Sequence, residues 1–449
     1  MTKLSRFLVG TVPVVGHVSP AVPIVRQLVD QGHEVWWYTG QLFKPTVEAT
    51  GARFIPMTHA LDFSEIQNVP TDWVETRAAL KGLAQLKFDL RNFFIDAAIG
   101  QVKDYAEILQ QFPADVLLAD TFFLGAAWTH ELGGPPWAEL GISVLSHSSR
   151  DTAPFGLGLP PDSSPKGRLR NLTLQALFKY VGFRDIAARI DKNRAQVGLP
   201  PTTQPFFGVK SPFLYLAGTL PEFEYPRSDL PPQVHFIGPL QAAPPPGEFT
   251  PPDWWGDLQQ EIPIVHVSQG TVATDPRDLL APTLQALAQE NVLVVATTGK
   301  ATDDVGLADL PANARVARFL PYAHLLPHVD VMVSNGGYGG VQMALAAGIP
   351  LVVAGKTEDK PEVCARVAWS GVGIDLNTKT PSPAQIKDAV RTLLTQPGYQ
   401  KRAHYFQTKI AQYDAPQQAV TLLEQLAISQ QPILGPSYPA NKYASEYAR

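Results

Sequence analysis

Residues 331–353 constrain the fold more than any other stretch of the chain. Two short apolar, β-branched runs, Val331 to Val333 and Leu351 to Val353, flank a segment with four glycines in the five positions 336–340. Apolar runs this short suit strands of a parallel sheet covered on both faces. The glycines remove Cβ atoms where a helix would start, so a backbone can approach a ligand and the free N–H groups of the first turn can point at an anion. The chemical reading is a diphosphate cradle. The plainer reading is a tight strand-to-helix turn found in any α/β protein. GxxxxGK[ST] is absent, which excludes an ATPase-type phosphate loop.

A chain of 449 residues predicts two or three domains, each long enough to bury a core. The net charge of −5 gives no broad attraction to nucleic acid or anionic membrane. The single cysteine, Cys364, excludes an intramolecular disulfide and is expected to be buried packing. The first 20 residues lack a clear signal-peptide pattern, and no apolar stretch reaches the roughly 18 residues that would span a bilayer. The expected location is the cytoplasm.

The chain opens with a βαβ pattern. Residues 7–11 and 34–39 read as strands and residues 21–31 as the helix between them. His17 lies in the first strand-to-helix loop, just after Gly16. Ligands of such folds collect at the carboxyl ends of the strands. A loop histidine is also often a simple surface group. Residues 114–120 read as another buried strand that delivers Asp120 to the same edge. An aspartate there can orient an imidazole and stabilise its cation, or it can cap the helix expected over residues 121–132. The aromatic-rich stretch 39–101 reads as a helical layer, with a minority of its side chains lining an apolar pocket. Residues 143–165 read as a long Ser/Pro/Gly-rich loop bordering a substrate pocket.

Residues 241–253 are the best linker candidate, because they are proline-rich and near mid-chain. The strand-helix pattern then restarts, with strands expected at 264–268 and 292–299, followed by the segment 314–322 and a short helix ending near His328. The polar loop after Val353 holds Glu358 and Asp359, which can bind hydroxyls or simply start the next helix. The expected architecture is α/β: two doubly wound domains, 1–240 and 254–430, facing each other across a cleft, with a loosely held tail at 431–449. This arrangement suits group transfer from a phosphorylated donor to a small apolar acceptor. Asp-x-Asp and metal-ligand His/Cys spacings are absent, so neither a metal nor a cofactor is expected.

These residues carry a family resemblance over most of the chain. The motifs are Gly16-His17-Val18-x-Pro20, the Asp120 strand with Gly125-Ala126-Ala127, and Ser268-Gln269-Gly270-Thr271. Phe319-Leu320-Pro321-Tyr322, Asn335-Gly336-Gly337-Tyr338-Gly339-Gly340 and Glu358-Asp359-Lys360-Pro361-Glu362 complete the set. The chain resembles the family 1, UDP-dependent glycosyltransferases of the GT-B fold, in their bacterial macrolide-glycosyltransferase-like branch. The resemblance implies two Rossmann-like domains, the first for acceptor and the second for nucleotide sugar, with the C-terminal helix crossing back to the first. It implies an inverting, metal-independent transfer with His17 as general base and Asp120 as its partner. Gly16, Ser268, Gly270 and Thr271 would lie near the donor diphosphate. Phe319 would stack on the base, and the backbone from Leu320 to Tyr322 would read its edge. Asn335, Gly336, Gly337, Gly339, Gly340 and Gln342 would line the phosphate side, and Glu358 or Asp359 would bind sugar hydroxyls. UDP-glucose is the default donor, and a flavonoid, phenolic or macrolide hydroxyl the default acceptor.

The chain departs from the family pattern at three positions. Asn335 stands where the family usually has histidine. Gly340 replaces a small hydroxyl residue. The ribose-binding glutamate falls at Met343, with Gln342 one position away and about 100° round the helix. These departures make a dTDP-sugar the main rival donor. The rival activities are a nucleotide-sugar epimerase or hydrolase of the same fold, and a non-catalytic sugar-nucleotide binder. A NAD-dependent dehydrogenase would want GxGxxG after the first strand, which the 10–16 loop lacks.

Overall fold

The structure is a computed structural model describing residues 4–202, 204, 209–240, 249–270, 275–299 and 310–436. The first sheet has seven parallel strands in the order β3-β2-β1-β4-β5-β6-β7. They are β1 (Arg6–Gly10), β2 (Glu34–Thr39), β3 (Arg53–Pro56), β4 (Val116–Asp120), β5 (Trp137–Gly141), β6 (Leu214–Ala217) and β7 (Val234–Phe236). The second has six parallel strands in the order β10-β9-β8-β11-β12-β13. They are β8 (Ile264–Ser268), β9 (Leu293–Thr297), β10 (Ala314–Ala317), β11 (Val331–Ser334), β12 (Leu351–Val353) and β13 (Gly373–Asp375).

Each sheet is apolar on both faces because successive strand residues point to opposite sides. Leu8, Leu117 and Ala119 enter one core of the first domain, whereas Phe7, Val9, Val116 and Leu118 enter the other. In the second domain Met332, Leu351 and Val353 face one core and Val331, Val333 and Val352 the other. Continuous apolar runs therefore signal two covered faces, as expected for parallel strands. Strands β3, β5 and β13 escaped the sequence reading; β5 carries Glu139 at its centre, which breaks its apolar run. β3 is a half-exposed edge strand with little alternation, and β13 is three residues long.

The C-terminal helix Ala415–Ser429 does cross back. Val420, Leu423 and Leu426 are buried in the first domain's core beside Val25 and Leu28. Its polar side contacts the same domain, with Gln27 Nε2 donating to Gln417 Oε1 at 3.0 Å and His33 Nε2 3.1 Å from Glu424 Oε1. The boundary expected at residue 430 is therefore sequential only, because this helix belongs spatially to the first unit. The tail reading also needs correcting at its start. Ile433 N–H donates to the Phe213 carbonyl at 2.8 Å, and His235 Nε2 lies 3.0 Å from the Ile433 carbonyl oxygen, so the chain is pinned there. Residues 437–449, and 241–248 of the expected linker, lie outside the described residues.

A buried charge network joins the two domains. Arg366, on the helix Lys360–Trp369, donates through Nε to Glu224 Oε2 at 3.0 Å and through Nη1 to Glu362 Oε2 at 2.9 Å. Glu224 lies beyond β6 in the chain and also accepts from the Leu145 N–H at 2.7 Å. Glu362 Oε1 accepts from the N–H groups of Gly156 and Gly158. The irregular segment after β5 is thus tied to the second domain through its backbone. Among the described residues, no helix is long and apolar enough to cross a membrane.

Candidate active site

β1 and β4 are neighbours, with Gly10 opposite Ala119, so their carboxyl ends emerge side by side. Beyond β1 the chain makes a helical turn, Val15–Val18, which carries His17 back over the sheet edge. Asp120 is the last residue of β4. His17 Nδ1 lies 3.0 Å from Asp120 Oδ2, and the carboxylate is fully buried while the imidazole is 14% exposed. The same Oδ2 accepts from the Val12 N–H at 3.0 Å. The next helix begins at Leu124 without a side-chain cap, so Asp120 is not its N-cap. Burial raises the Asp120 pKa, against the pull of His17 and of the Val12 amide. With the carboxylate on Nδ1, the proton belongs on that nitrogen and Nε2 is left as an acceptor.

Aromatic side chains wall the imidazole. The Phe94 ring lies 6.2 Å from that of His17, and Phe122 packs edge-on to Phe94 at 5.6 Å. Phe122 holds φ at 80°, a left-handed conformation that is rare for an aromatic residue and costs of order 1–3 kcal/mol. Phe93 stands edge-on to Phe63 and Trp73 farther along the same layer.

On the second domain, Gly337 is the N-cap of the helix Tyr338–Ala347, and β11 precedes the turn as expected. Gly336 has φ +81°, and a Cβ there would run into Cys364 Sγ, so the fold itself demands this glycine. Gly339 differs. A Cβ there would meet nothing within 4 Å, so the space beside it is open. The amides of Tyr338, Gly339 and Gly340 form the first turn of a helix and lack intrahelical acceptors. Cys364 is buried, and burial pushes its thiol up, in keeping with a packing role.

Two predicted donor-side residues turn away from the open space. Asn335 Nδ2 donates to the Gln269 carbonyl and its Oδ1 accepts from the Gly337 N–H at 3.2 Å, so the side chain ties two loops together. Gln342 is buried and donates to Thr219 Oγ1 at 3.0 Å, across the domain interface. Gly270, with φ +83°, packs against Asn335, and Thr271 lies outside the described residues. Ser268 ends β8 beside the buried Tyr322 hydroxyl. Leu320 is a core side chain, whereas Phe319 is 64% exposed at the carboxyl end of β10. Gly16 sits in the turn that carries His17, with nothing within 4 Å of its Cβ direction.

The acidic pair divides. Glu358, at φ 52°, turns to the Lys360 ammonium and Thr357. Asp359 accepts from Ser143 Oγ of the first domain. Burial raises the Asp359 pKa, while Ser143 and the His17 charge pull it down. Ser143 and Lys360 were not singled out from sequence. Burial lowers the Lys360 pKa to about 8. A lysine directly after Asp359 was the available signal, but a helix start normally leaves such a side chain in solvent.

The chain is similar to known proteins along most of its length. Residues 281–426 match the family model "Erythromycin biosynthesis protein CIII-like, C-terminal domain". The chain is 49% identical over 424 residues to 4'-demethylrebeccamycin synthase of Lentzea aerocolonigenes, covering 94% of this chain and 99% of that protein. It is 34% identical over 449 residues to UDP-glycosyltransferase 2 of Phaeomoniella chlamydospora, covering 95% and 96%. Among solved structures, the glycosyltransferase of kitacinnamycin superposes with a TM-score of 0.74 at 22% identity, over 96% of this chain and all of that one. With the two parallel-sheet domains and end-to-end similarity to named transferases, the chain belongs to the family 1 glycosyltransferases of the GT-B fold, in their bacterial branch.

Proposed function

We propose that the protein moves a hexose, glucose by default, from a nucleotide diphosphosugar, UDP-glucose by default, to a hydroxyl of a small apolar acceptor. The observation that carries this is the His17–Asp120 pair under the aromatic wall of Phe94 and Phe122. The acceptor O–H proton passes to His17 Nε2. The acceptor oxygen then attacks the anomeric carbon from the face opposite the diphosphate. The bond from the anomeric carbon to the β-phosphate oxygen breaks, and the configuration inverts. Asp120 holds the imidazole tautomer and balances the imidazolium that forms. The first-turn amides of Tyr338, Gly339 and Gly340 meet the charge of the leaving diphosphate. Asp359, which faces Ser143 of the first domain, is the carboxylate offered to the sugar hydroxyls, whereas Glu358 pairs with Lys360. Phe319 supplies the exposed face on which the base stacks.

The proposed UDP donor is supported by the printed name of the UDP-glycosyltransferase from Phaeomoniella. The test incubates the protein with UDP-glucose and, separately, dTDP-glucose, together with flavonoid, phenolic and macrolide acceptors in EDTA. Mass spectrometry then looks for a hexose adduct. An adduct at least about 100-fold reduced in His17→Ala is the expected result. Adduct formation indifferent to His17→Ala would discard the base. Tight nucleotide binding with no adduct on any acceptor would favour a binder.

A further inference from the structure

Tyr105 and Asp120 each bury one polar atom without a partner: the Tyr105 hydroxyl and Asp120 Oδ1. Both residues are nearly inaccessible, at 0% and 1% exposure. An unsatisfied donor or acceptor at such depth costs roughly 1–3 kcal/mol, and two in one place call for a joint explanation. The two groups share a location. A Cβ on Gly10, the last residue of β1, would run into the Tyr105 hydroxyl. The Asp120 carboxylate leaves the adjacent end of β4 and reaches Val12, two residues past Gly10.

The remaining neighbours of Tyr105 are already engaged. Asp104, on the same helix Ala97–Gln111, accepts from the Tyr38 hydroxyl at 2.5 Å and from the N–H groups of Thr58, His59 and Ala60. Tyr38, on β2, presents its ring edge to Tyr105 at 5.5 Å and spends its own hydroxyl on Asp104. Phe123 offers only ring carbon. The charged groups acting on Tyr105 are Asp120 and Asp104, and His17 is the charged group acting on Asp120.

We propose that Tyr105 is a positioning residue of the catalytic pair, its hydroxyl donating to Asp120 Oδ1 directly or through one water molecule. His17 and the Val12 amide occupy Oδ2, and Tyr105 occupies the other oxygen. The carboxylate then stays ionised and fixed in plane despite its burial, and His17 keeps its orientation. This role rests on the base assigned to His17 above, and it explains why Gly10 ends β1: any side chain there would displace the hydroxyl.

Tyr105→Phe keeps the ring and removes only the donor. Kcat is expected to fall about ten-fold with KM for donor and acceptor unchanged, the size expected for a hydrogen bond to a charged group. Losing the donor makes the anionic pair bind its proton more tightly, whichever of the two groups holds it. The acidic limb of kcat/KM therefore moves up by about half to one pH unit. Parental kcat and an unmoved limb in Tyr105→Phe would overturn the proposal, even if Tm fell. The His17 imidazole is also titrated by NMR in the free protein, with and without Tyr105→Phe. Should His17→Ala remain active, the base reading fails alone, and this titration still decides: an unmoved curve sinks the Tyr105 contact and a raised one upholds it. If Tyr105→Phe does not fold, 3-fluorotyrosine at position 105, a stronger donor, should shift the limb and the imidazole curve to lower pH. No shift there would also overturn the proposal.

Discussion

His17 Nδ1 and Asp120 Oδ2 stand 3.0 Å apart, although 103 residues separate them in the chain. Parallel pairing of β1 with β4 makes this possible, because it brings two strand ends to one edge. The aspartate is buried and therefore bears on both catalysis and stability.

Asp120→Asn should lower kcat by about 100-fold or more, because an amide neither enforces the Nδ1–H tautomer nor balances an imidazolium. Its effect on stability should depend on pH. Burial holds the Asp120 pKa above its ordinary value of 3.8. Such a group costs nothing below the unfolded pKa, where both states are protonated. The cost grows as pH rises towards the folded pKa and is complete above it. The Tm of Asp120→Asn relative to the parent should therefore be most favourable near pH ~8 and decline towards pH ~4. A calorimetric pH series checks this, and a difference independent of pH would contradict it.

Gly336 and Gly339 should respond in opposite ways to alanine. Gly336→Ala meets a positive φ and Cys364, so it should unfold at a lower Tm. Gly339→Ala sits in a helix with open space, so stability should hold or rise by up to about 1 kcal/mol. Its donor KM should nevertheless rise, because the methyl fills the approach to the first-turn amides. Thermal melts and steady-state kinetics on the two variants separate a fold glycine from a ligand glycine.

Phe319→Ala should raise the donor KM five-fold or more, in line with roughly 1–3 kcal/mol for stacking of a base on an aromatic ring. Kcat should change little, and Tm should hold because the side chain is mostly exposed. An unchanged KM would remove Phe319 from the donor site.

Arg366→Met should cost about 3–5 kcal/mol, read from the urea midpoint, because it strands the buried Glu362 without its cation and leaves Glu224 with Arg227 alone. The backbone of Gly156 and Gly158 hangs on Glu362. Limited proteolysis within residues 143–165 should therefore speed up in this variant. Proteolysis at the parental rate would show that the segment does not depend on the network.

Much of the site could be read in the chain. Apolar runs of four to six residues announced the buried parallel strands, and the loop at the carboxyl end of each strand lies at the ligand edge. His17, Asp120, the glycine turn and the 358–359 acids each end or follow a strand, which assigns them to one sheet edge or the other. The sequence by itself determined which loops lie at the carboxyl ends of the strands, because strand periodicity and turn chemistry act over a few neighbouring residues. Only the tertiary structure decided what each side chain does there. Asn335 binds Gln269, Gln342 binds Thr219, Lys360 claims Glu358 and leaves Asp359 to Ser143, and Tyr105 comes to rest against Gly10. Most of these partners lie tens to hundreds of residues apart in sequence, and the Lys360–Glu358 pair turns on a positive φ at Glu358. Long-range packing sets all of these contacts, because a buried polar atom takes whichever partner the assembled domains bring within hydrogen-bond reach.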